Sequence, residues 1–387
     1  MKYKRLSDFA DFRTERTANI TFENYISTEN MIRDKGGIMT VSSLPDAKTT
    51  SAYKTGDILL SNIRPYFKKI WFATQSGSCS NDVLVLKTKK NILPLFLYYV
   101  LSDDNFFNYD TITSKGTKMP RGTPNAIMKY LVPNIQVDKQ TKIASILSAY
   151  DDLIENNNKR IKILEQMAEN LYKEWFVRFR FPGYETAEFE NGIPKGWEIL
   201  RMENFCYVTD GTHDTPKETN LGVPLVTGRC IRNGFVDYDE AYLISEDDHN
   251  RIKKRSGLKS GDILFSNIGT VGNTCLVDYE REFSVKNVII FKPPIRAISA
   301  YLYYWLISPS MQAIFSTQTN GASQQFVGLT FMRRIKILVP NKYIMTSFEK
   351  NVAPIIDAMM MLHKENQNLI KQRDLLLPRL MSGKLEV

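Results

Sequence analysis

The chain has 387 residues, of which 43% are hydrophobic and 24% are charged. This length favours two or more domains, and the composition excludes a wholly disordered chain. The surplus of 51 basic over 42 acidic residues gives a net charge of +9, which favours a polyanionic partner. The N-terminal segment lacks the apolar core of a signal peptide, and the apolar run from Ile92 to Leu101 is too short to cross a bilayer. The sequence therefore predicts a cytoplasmic protein with no membrane partner.

Residues that commonly hold metals are few and scattered. The four cysteines and three histidines lie far apart, with no Cys-x-x-Cys pair. Structural zinc sites normally draw their ligands from closely spaced pairs. We therefore expect reduced, structural thiols and no metal site.

The first predicted elements are short strands. Runs of β-branched and aromatic residues at 57–63, 69–73 and 83–88 are bounded by Gly, Ser and Asn. The next segment, 94–107, has apolar residues at helical spacing and predicts a helix. Together these elements predict a mixed α/β globular unit.

A long helix is predicted next, over residues 138–176, and Phe181-Pro182-Gly183 is its stop signal. Its apolar positions alternate by four and three residues, which is the heptad pattern of a coiled coil. The seam consists of Ile143, Leu147, Tyr150, Ile154, Asn157, Ile161, Leu164, Ala168, Leu171 and Trp175. Asn157 is the strongly polar member, and such an asparagine can fix the pairing register of two helices.

The chain then repeats itself. Lys54–Ile63 recurs as Lys259–Ile268, at an offset of 262 − 57 = 205 residues. The same offset relates 83–87 to 288–292, and 97–99 to 302–304. This period is too long for a solenoid, so each copy is predicted to be a whole domain with its connection. In the second copy, apolar spacing predicts a helix near 299–315.

A second long helix is predicted at the end of the second copy. One seam runs through Val352, Ile356, Met359, His363, Asn366, Ile370, Arg373, Leu377 and Leu380. A competing stripe through Ile355, Leu362, Leu369 and Leu376 is equally apolar, so the pattern leaves the register open. Asn366 corresponds to Asn157, and these two are the predicted register residues.

Two such helices can bury their seams against each other. A helix over 138–176 is about 58 Å long at 1.5 Å per residue, whereas DNA half-sites one turn apart lie roughly 34–36 Å from each other. The sequence thus predicts an α+β fold, in which two pseudo-symmetric mixed α/β domains are joined by two long antiparallel coiled-coil helices. The predicted boundaries are 1–135 and 183–340 for the α/β domains, and 136–182 and 341–387 for the helical regions.

Several polar segments are candidate DNA contacts. Basic and aromatic residues interleave around Arg64, Lys68 and Lys69, as on surfaces that contact phosphates, although a strand with a solvated lysine edge has the same pattern. The loop after the first α/β helix is strongly basic, and its counterpart in the second copy is rich in amides; Arg suits guanine and Asn or Gln suits adenine. The remaining candidates are Lys115, Lys118 and Arg121 in the first loop, Asn320, Ser323, Gln324 and Gln325 in the second, and His213, Lys217 and Arg229 at the start of the second unit.

The repeated Gly-Asp pairs allow two interpretations. Asp57 and Asp262 could belong to a catalytic site, but no second carboxylate recurs beside them at metal-site spacing. A structural turn that leads into a buried strand is the preferred interpretation.

Taken together, these motifs resemble the specificity subunits of type I restriction–modification systems. The resemblance is carried by the repeated Lys-x-Gly-Asp-Ile-Leu strand, the Val-Pro pairs at 132–133 and 339–340, and the stretches 171–176, 193–197 and 375–383. It implies two target-recognition domains, two helical regions that form an antiparallel coiled coil, and a non-catalytic role. It also implies that Arg13 and Arg16 match the stretch that opens the second unit.

The resemblance further implies partners and cofactors. The expected partners are double-stranded DNA, two methyltransferase subunits, and motor and endonuclease subunits in the full complex. No cofactor is expected in this chain, because S-adenosylmethionine would be bound by the methyltransferase, which methylates adenine N6.

Two other functions stay open at this point. The chain could be a DNA methylase or nuclease with divergent motifs, although it lacks the amino-methylase Asn-Pro-Pro-Tyr and Asp-Pro-Pro-Tyr motifs and a Walker sequence. It could also be an interaction scaffold whose basic charge is incidental.

Overall fold

The computed structural model of the protein describes residues 2–278, 281–319, 326–382 and 384–385. The chain forms two compact units. Unit 1 comprises Met1–Asn158 with His363–Val387, and unit 2 comprises Lys159–Leu362. Each unit thus takes part of both long helices, and the predicted domain boundaries at 135, 182 and 340 stay predictions.

Ten strands and four helices begin the chain. The strands are β1 (Tyr3–Arg5), β2 (Ala10–Phe12), β3 (Arg16–Thr17), β4 (Tyr25–Ile26), β5 (Thr50–Tyr53), β6 (Ile58–Ser61), β7 (Ile70–Phe72), β8 (Gly77–Cys79), β9 (Val83–Thr88) and β10 (Leu131–Pro133). The helices are α1 (Pro94–Ser102), α2 (Asp104–Thr113), α3 (Pro124–Ile127) and the long α4 (Val137–Tyr172), which continues as one π-helical turn over Lys173–Val177.

Thirteen strands and six helices follow among the described residues. The strands are β11 (Phe189–Glu190), β12 (Ile193–Pro194), β13 (Glu198–Arg201), β14 (Tyr207–Asp210), β15 (Val223–Val226), β16 (Ile231–Arg232), β17 (Phe235–Val236), β18 (Tyr242–Ile244), β19 (Ile263–Ser266), β20 (Thr274–Leu276), β21 (Ser284–Val285), β22 (Val288–Lys292) and β23 (Lys336–Val339). The helices are α5 (Met202–Phe205), α6 (Glu246–Ser256), α7 (Arg296–Ile307), α8 (Pro309–Thr319), α9 (Leu329–Arg334) and the long α10 (Lys342–Met381).

The repeat seen in the sequence is a repeat of topology. Unit 1 has a four-stranded antiparallel sheet in the order β2-β9-β6-β7, and unit 2 has the equivalent order β14-β22-β19-β20. A two-stranded ribbon also recurs, as β1-β10 and as β13-β23. The second sheets share a parallel pair, β4 with β8 and β15 with β21, but differ in their other strands. The units therefore have a common frame and one region that diverges.

The repeated motif forms the central strand of each frame. Every residue of β6 and β19 is buried, because each strand has a neighbour on both edges and side chains packed on both faces. Gly56 and Gly261 precede these strands with φ of 87° and 88°, a left-handed conformation that glycine adopts without a steric penalty. The Gly-Asp motif recurs because each unit needs a tight turn directly before the apolar strand at the centre of its core.

Both predicted α/β helices prove to be pairs of helices. The first is interrupted at Asp103, whose carboxylate accepts a hydrogen bond from the Asn105 N–H at 2.7 Å and so caps α2. The second is interrupted at the equivalent Ser308, after which α8 begins with Pro309. The prediction of helical structure near 94–107 and 299–315 is confirmed, with one break in each segment, at Asp103 and at Ser308.

The long helices follow the predicted seam. All ten positions predicted for α4 are buried or half-buried. In α10 the buried face takes residues from both candidate stripes. Leu362 of the competing stripe is buried, whereas Ile370 of the first seam is 39% exposed. Within unit 1, Asp151 contacts Arg373, while Asn157, later in α4, contacts Glu365, earlier in α10. The two helix segments of this unit therefore run antiparallel.

The two register asparagines are buried but do not bond to each other. Asn157 Nδ2 donates to Glu365 Oε2 at 3.1 Å, and Asn366 Nδ2 donates to Asn158 Oδ1 at 2.9 Å. Each amide is thus paired one residue away from its predicted counterpart. These reciprocal bonds join the same two helix segments of unit 1, and a register role for the pair stays a prediction.

The core of unit 2 lies where both long helices meet the α/β frame. Phe176, in the π-helical turn, packs edge-on against Tyr301 and Phe348, with ring centroids 4.7 and 4.9 Å away. Aromatic pairs at this distance stabilise a fold beyond the area they bury. The motif at 171–176 therefore joins the end of α4 to the sheet-covering helix α7 and to α10.

Candidate nucleic-acid interface

A basic hairpin, residues 115–121, lies between α2 and α3 of unit 1. The backbone groups of Lys115 and Arg121 bond to each other twice, each N–H···O distance being 2.9 Å. Lys118 is exposed at the tip, and Arg121 is exposed at the base, where it reaches Asp82 at 3.2 Å. The hairpin brings together the three cations that the sequence predicted in this loop. Their charge favours contact with phosphates, and their role as DNA contacts stays a prediction.

The hairpin is anchored on the segment that follows β6. The Gly122 N–H donates to the Asn62 carbonyl at 3.0 Å, and the Arg64 N–H donates to the Pro120 carbonyl at 2.7 Å. The basic hairpin and the basic segment after β6 are therefore one continuous surface.

The segment 64–69 is more buried than a solvated strand edge. A 3-10 turn over Pro65–Phe67 is flanked by Arg64 and Lys68, both with positive φ, and both are half-buried. The Phe67 ring lies 5.9 Å from the Arg64 guanidinium and 5.9 Å from the Lys69 ammonium. Burial, and then the charge of Arg33, lowers the pKa of Lys69, whose Nζ donates to the Thr28 carbonyl at 2.5 Å.

The Gly-Asp turns are structural. Asp57 Oδ2 accepts a hydrogen bond from the Lys54 N–H at 2.7 Å, and Asp262 Oδ2 accepts one from the Lys259 N–H at 2.9 Å. A buried cation neutralises each carboxylate: Arg13 Nε lies 2.6 Å from Asp57, and the Lys292 ammonium contacts Asp262. The preferred interpretation of these aspartates is confirmed. Arg13, which the resemblance matches to the start of the second unit, is thus held inside unit 1 as the partner of Asp57.

Unit 2 has an open cleft of about 840 Å³ at the equivalent end of its sheet. Lys217 and Arg229, both predicted from the sequence, line it together with Lys286, and all three are basic. The hydroxyl of Tyr242 is buried against this cleft and has no hydrogen-bond partner among the described residues. The three cations outnumber the one carboxylate that lines the cleft, Glu218, and this positive balance suits a polyanion.

His213 lies beside the cleft in a polar network. Its Nε2 is 2.8 Å from Asp210 Oδ2, and its Nδ1 is 2.9 Å from Asn287 Oδ1. The Arg255 guanidinium also contacts Asp210. Because both ring nitrogens already have partners, the imidazole holds the loop after β14 in place, as expected of a turn residue. A direct role for His213 in DNA contact stays a prediction.

Four predicted residues lie outside the described part of the chain: Asn320, Ser323, Gln324 and Gln325. The flanking backbone nevertheless repeats the anchor of unit 1. The Val327 N–H donates to the Asn267 carbonyl at 2.9 Å, as Gly122 does to Asn62.

Comparison with known families identifies the repeat. A model of the type I restriction modification DNA specificity domain matches residues 1–166 and 194–372, one segment for each copy. The chain belongs to this family. The resemblance drawn from the motifs is thereby confirmed, and this specificity subunit is a DNA-recognition component and not the enzyme that modifies or cuts DNA.

Individual relatives agree with this assignment. The specificity subunit is 26% identical over 314 residues to the type I restriction enzyme MjaIX specificity subunit of Methanocaldococcus jannaschii, covering 77% of this chain and 71% of the relative. It is 24% identical over 437 residues to the HindI specificity subunit of Haemophilus influenzae, covering 93% and 94%. The crystal structure of the type I S subunit from M. genitalium has the same fold, with a TM-score of 0.55 and 15% identity over 98% of this chain and 95% of that one.

The described residues of the specificity subunit contain neither a membrane-spanning helix nor a cluster of metal-binding side chains. No helix in the described ranges has the length and apolarity needed to cross a bilayer. Across the same ranges, His, Cys, Asp and Glu side chains form no group of three that could hold a metal ion. All four cysteines are buried free thiols, and burial raises the pKa of Cys79 and of Cys206 to about 12.

Sequence reasoning missed several residues of the specificity subunit's surface. Lys286 and Asn287 lie between β21 and β22, and their position beside Arg229 depends on strand pairing over some 60 residues. Arg255, at the end of α6, was missed for the same reason. A usable signal existed only for Lys286-Asn287, since a polar pair between two apolar strand segments suggests an exposed turn.

Proposed function

We propose that this chain selects the DNA target of a type I restriction–modification enzyme, and that each α/β domain reads one half of an asymmetric, two-part sequence. The observation that supports this most is a common frame with unlike surfaces. The basic hairpin of unit 1 and the cleft of unit 2 both lie where the central strand, β6 or β19, ends. The two units thus carry different side chains at this end of the common frame, which suits two readers of different bases.

In this proposal the long helices set the separation of the two readers and hold the partner subunits. Two methyltransferase subunits bind S-adenosylmethionine and methylate adenine N6, and motor and endonuclease subunits add restriction. This chain itself binds no cofactor. Support comes from the length of α4 and α10, 36 and 40 residues, and from their antiparallel packing within unit 1.

Domain exchange tests whether each α/β domain reads its own half of the target. Replacing residues 1–135 with the matching domain of another specificity subunit should change one half of the methylated sequence and leave the other half unaltered. Sequencing of methylated sites in cells that express the chain with its methyltransferase gives the answer. Alteration of both halves would contradict separate reading.

The spacer role has its own test. Inserting one heptad into each long helix should change the gap between the two halves, and an unchanged gap would contradict the role of the helices. Two controls address the other functions considered. Methyl transfer by the purified chain alone would indicate an enzyme, whereas the absence of sequence preference in a binding selection at moderate salt would indicate a scaffold.

A further inference from the structure

The basic hairpin of unit 1 closes over a buried carboxylate that has no partner. Asp110, in α2, is 0% exposed, and neither of its oxygens accepts a hydrogen bond. The side-chain oxygen of Asn62 is likewise buried without a partner. Three acceptor atoms thus lie beneath the hairpin with no donor among the described residues, an arrangement that native proteins rarely tolerate.

These acceptors meet at the base of the hairpin. A Cβ atom placed on Gly122 would lie 2.6 Å from Asp110 Oδ1 and 3.0 Å from Asn62 Oδ1. Gly122 therefore lets the backbone close directly onto both side chains. Its own N–H is already used by the Asn62 carbonyl, so the backbone supplies no donor to the carboxylate at this point.

The protonation state of Asp110 decides whether this closure is favourable. Desolvation raises the pKa of Asp110 to about 7, and no charged neighbour contributes to this shift. Among the nearby charged groups, Arg121 contacts Asp82, and the Arg64 guanidinium lies over the Phe67 ring. The buried Nε of Arg64 has no hydrogen-bond partner among the described residues and bonds to neither Asp110 oxygen. Lys115 bonds to Arg121 through its backbone, and the Tyr109 hydroxyl, on the same helix, donates to Ala126. A protonated carboxyl supplies the missing donor for the Asn62 oxygen, whereas an ionised one is an uncompensated buried charge.

The second copy has a phenylalanine in place of the buried carboxylate. At the 205-residue offset, Phe315 stands where unit 1 has Asp110, and Val327 stands where it has Gly122. Phe315 is buried against Phe265, with ring centroids 4.8 Å apart, while the same backbone bond to Asn267 is kept. The Asn267 side-chain oxygen, like that of Asn62, is buried without a partner, so the two copies differ in the buried carboxylate of unit 1, and unit 2 provides an internal control for it.

We infer that Asp110 is a positioning residue, which in its protonated form holds the basic hairpin closed, so that DNA reading by unit 1 weakens as pH rises while reading by unit 2 does not. This inference rests on the proposed function, because it assigns DNA contact to the hairpin. The sign follows from linkage: in an open hairpin the solvated carboxyl has its ordinary pKa of about 4, whereas in the closed hairpin it keeps its proton up to about pH 7. Closure therefore takes up one proton between these pH values and becomes less favourable as pH rises through them.

Hydrogen exchange tests the hairpin without DNA. In the full chain, the bonded amides of Lys115, Arg121 and Gly122 should lose protection as pH rises from 4 to 7, approaching about tenfold per unit after correction for intrinsic rates, and this loss should level off above pH 7. Asp110→Asn should remove this extra dependence. Asp11→Asn makes the same change at an exposed carboxylate of unit 1 and should behave as the unaltered chain. Protection of these amides in the unaltered chain that is constant across this range would overturn the inference, whatever the variant does.

DNA binding supplies the second arm. On duplexes that keep only the half-site of unit 1, affinity should fall by up to about tenfold per pH unit between pH 5 and 7, and Asp110→Asn should abolish this fall. Duplexes that keep only the half-site of unit 2 should show no such fall. Equal pH dependence for both halves would overturn the inference and leave the proposed function intact. Absence of sequence preference at every pH would overturn the proposed function, while the exchange experiment would still decide whether Asp110 controls the hairpin.

Discussion

The buried ion pair that joins the long helices within unit 1 makes a quantitative prediction. Arg373 is 13% exposed at its side chain, and its Nη1 lies 2.6 Å from Asp151 Oδ1. Although burial lowers it, the charges of Asp151 and Asp374 raise the pKa of Arg373 above its ordinary value. The other Asp151 oxygen accepts a hydrogen bond from the Tyr99 hydroxyl at 2.7 Å. Asp151→Ala therefore leaves a buried cation and a buried hydroxyl each short of a partner.

The expected cost can be worked from these contacts. Removing one partner of a buried ion pair costs about 3–5 kcal/mol, and an orphaned hydroxyl adds about 1 kcal/mol. Asp374 stays within 2.9 Å of Arg373 and offsets part of the loss. We expect unit 1 to lose about 3–4 kcal/mol of unfolding free energy. The exposed neighbour Asp152 is the matched control, and Asp152→Ala should cost less than about 0.5 kcal/mol.

The measurement must resolve unit 1, because two compact units need not unfold in a single transition. Hydrogen exchange in urea, followed on peptides from α1 and from the first half of α4, reports this unit. The double variant Asp151→Leu with Arg373→Met should regain most of the loss, since no charge is then left buried alone. A cost below about 1 kcal/mol for Asp151→Ala, or a double variant as unstable as the sum of both single changes, would refute this reasoning.

Three further changes test other parts of the structure. Asn366→Leu removes a buried oxygen without a partner and should raise the stability of unit 1 by about 1–2 kcal/mol in the same exchange assay; a loss of stability would show that the bond to Asn158 dominates. Phe176→Ala opens the aromatic cluster of unit 2 and should cost about 3–5 kcal/mol by urea unfolding, and a cost under 1 kcal/mol would contradict its packing role. Arg229→Ala should reduce the slope of log affinity against log salt by about 0.9 if Arg229 neutralises one phosphate, and an unchanged slope would exclude that contact.

The parts of the fold that were predictable from sequence depend on local patterns. The Gly-Asp turn before β6 recurs at β19 because the same short-range geometry is needed twice, and the heptad seam of α4 is visible in its spacing. The break at Asp103 also depends on local sequence, since an aspartate whose carboxylate accepts a hydrogen bond from the N–H two residues later favours the start of a new helix. Apolar spacing alone does not reveal this break, because it continues on both sides of Asp103.

What could not be predicted depends on contacts between distant segments. The contact of Arg13 with Asp57 has no signal in the sequence, because it depends on the pairing of β2 with β9 and of β9 with β6. The burial of Asp110 had no sequence signal either, because an aspartate near the end of a helix is normally solvated. The candidate DNA contacts were found from side-chain charge and amide content, and the arrangement of the basic ones into a hairpin and a cleft came only from the structure.

The division of the chain into units also sets an order of completion during synthesis. Unit 2 is one continuous segment, so all of its residues are available once Leu362 has left the ribosome. Unit 1 must wait longer, because its core includes Leu377 and Leu380 from the last turns of α10. The domain translated first is thus finished last. A shortened α10 therefore damages the first α/β domain, although the lesion lies more than 200 residues downstream of it.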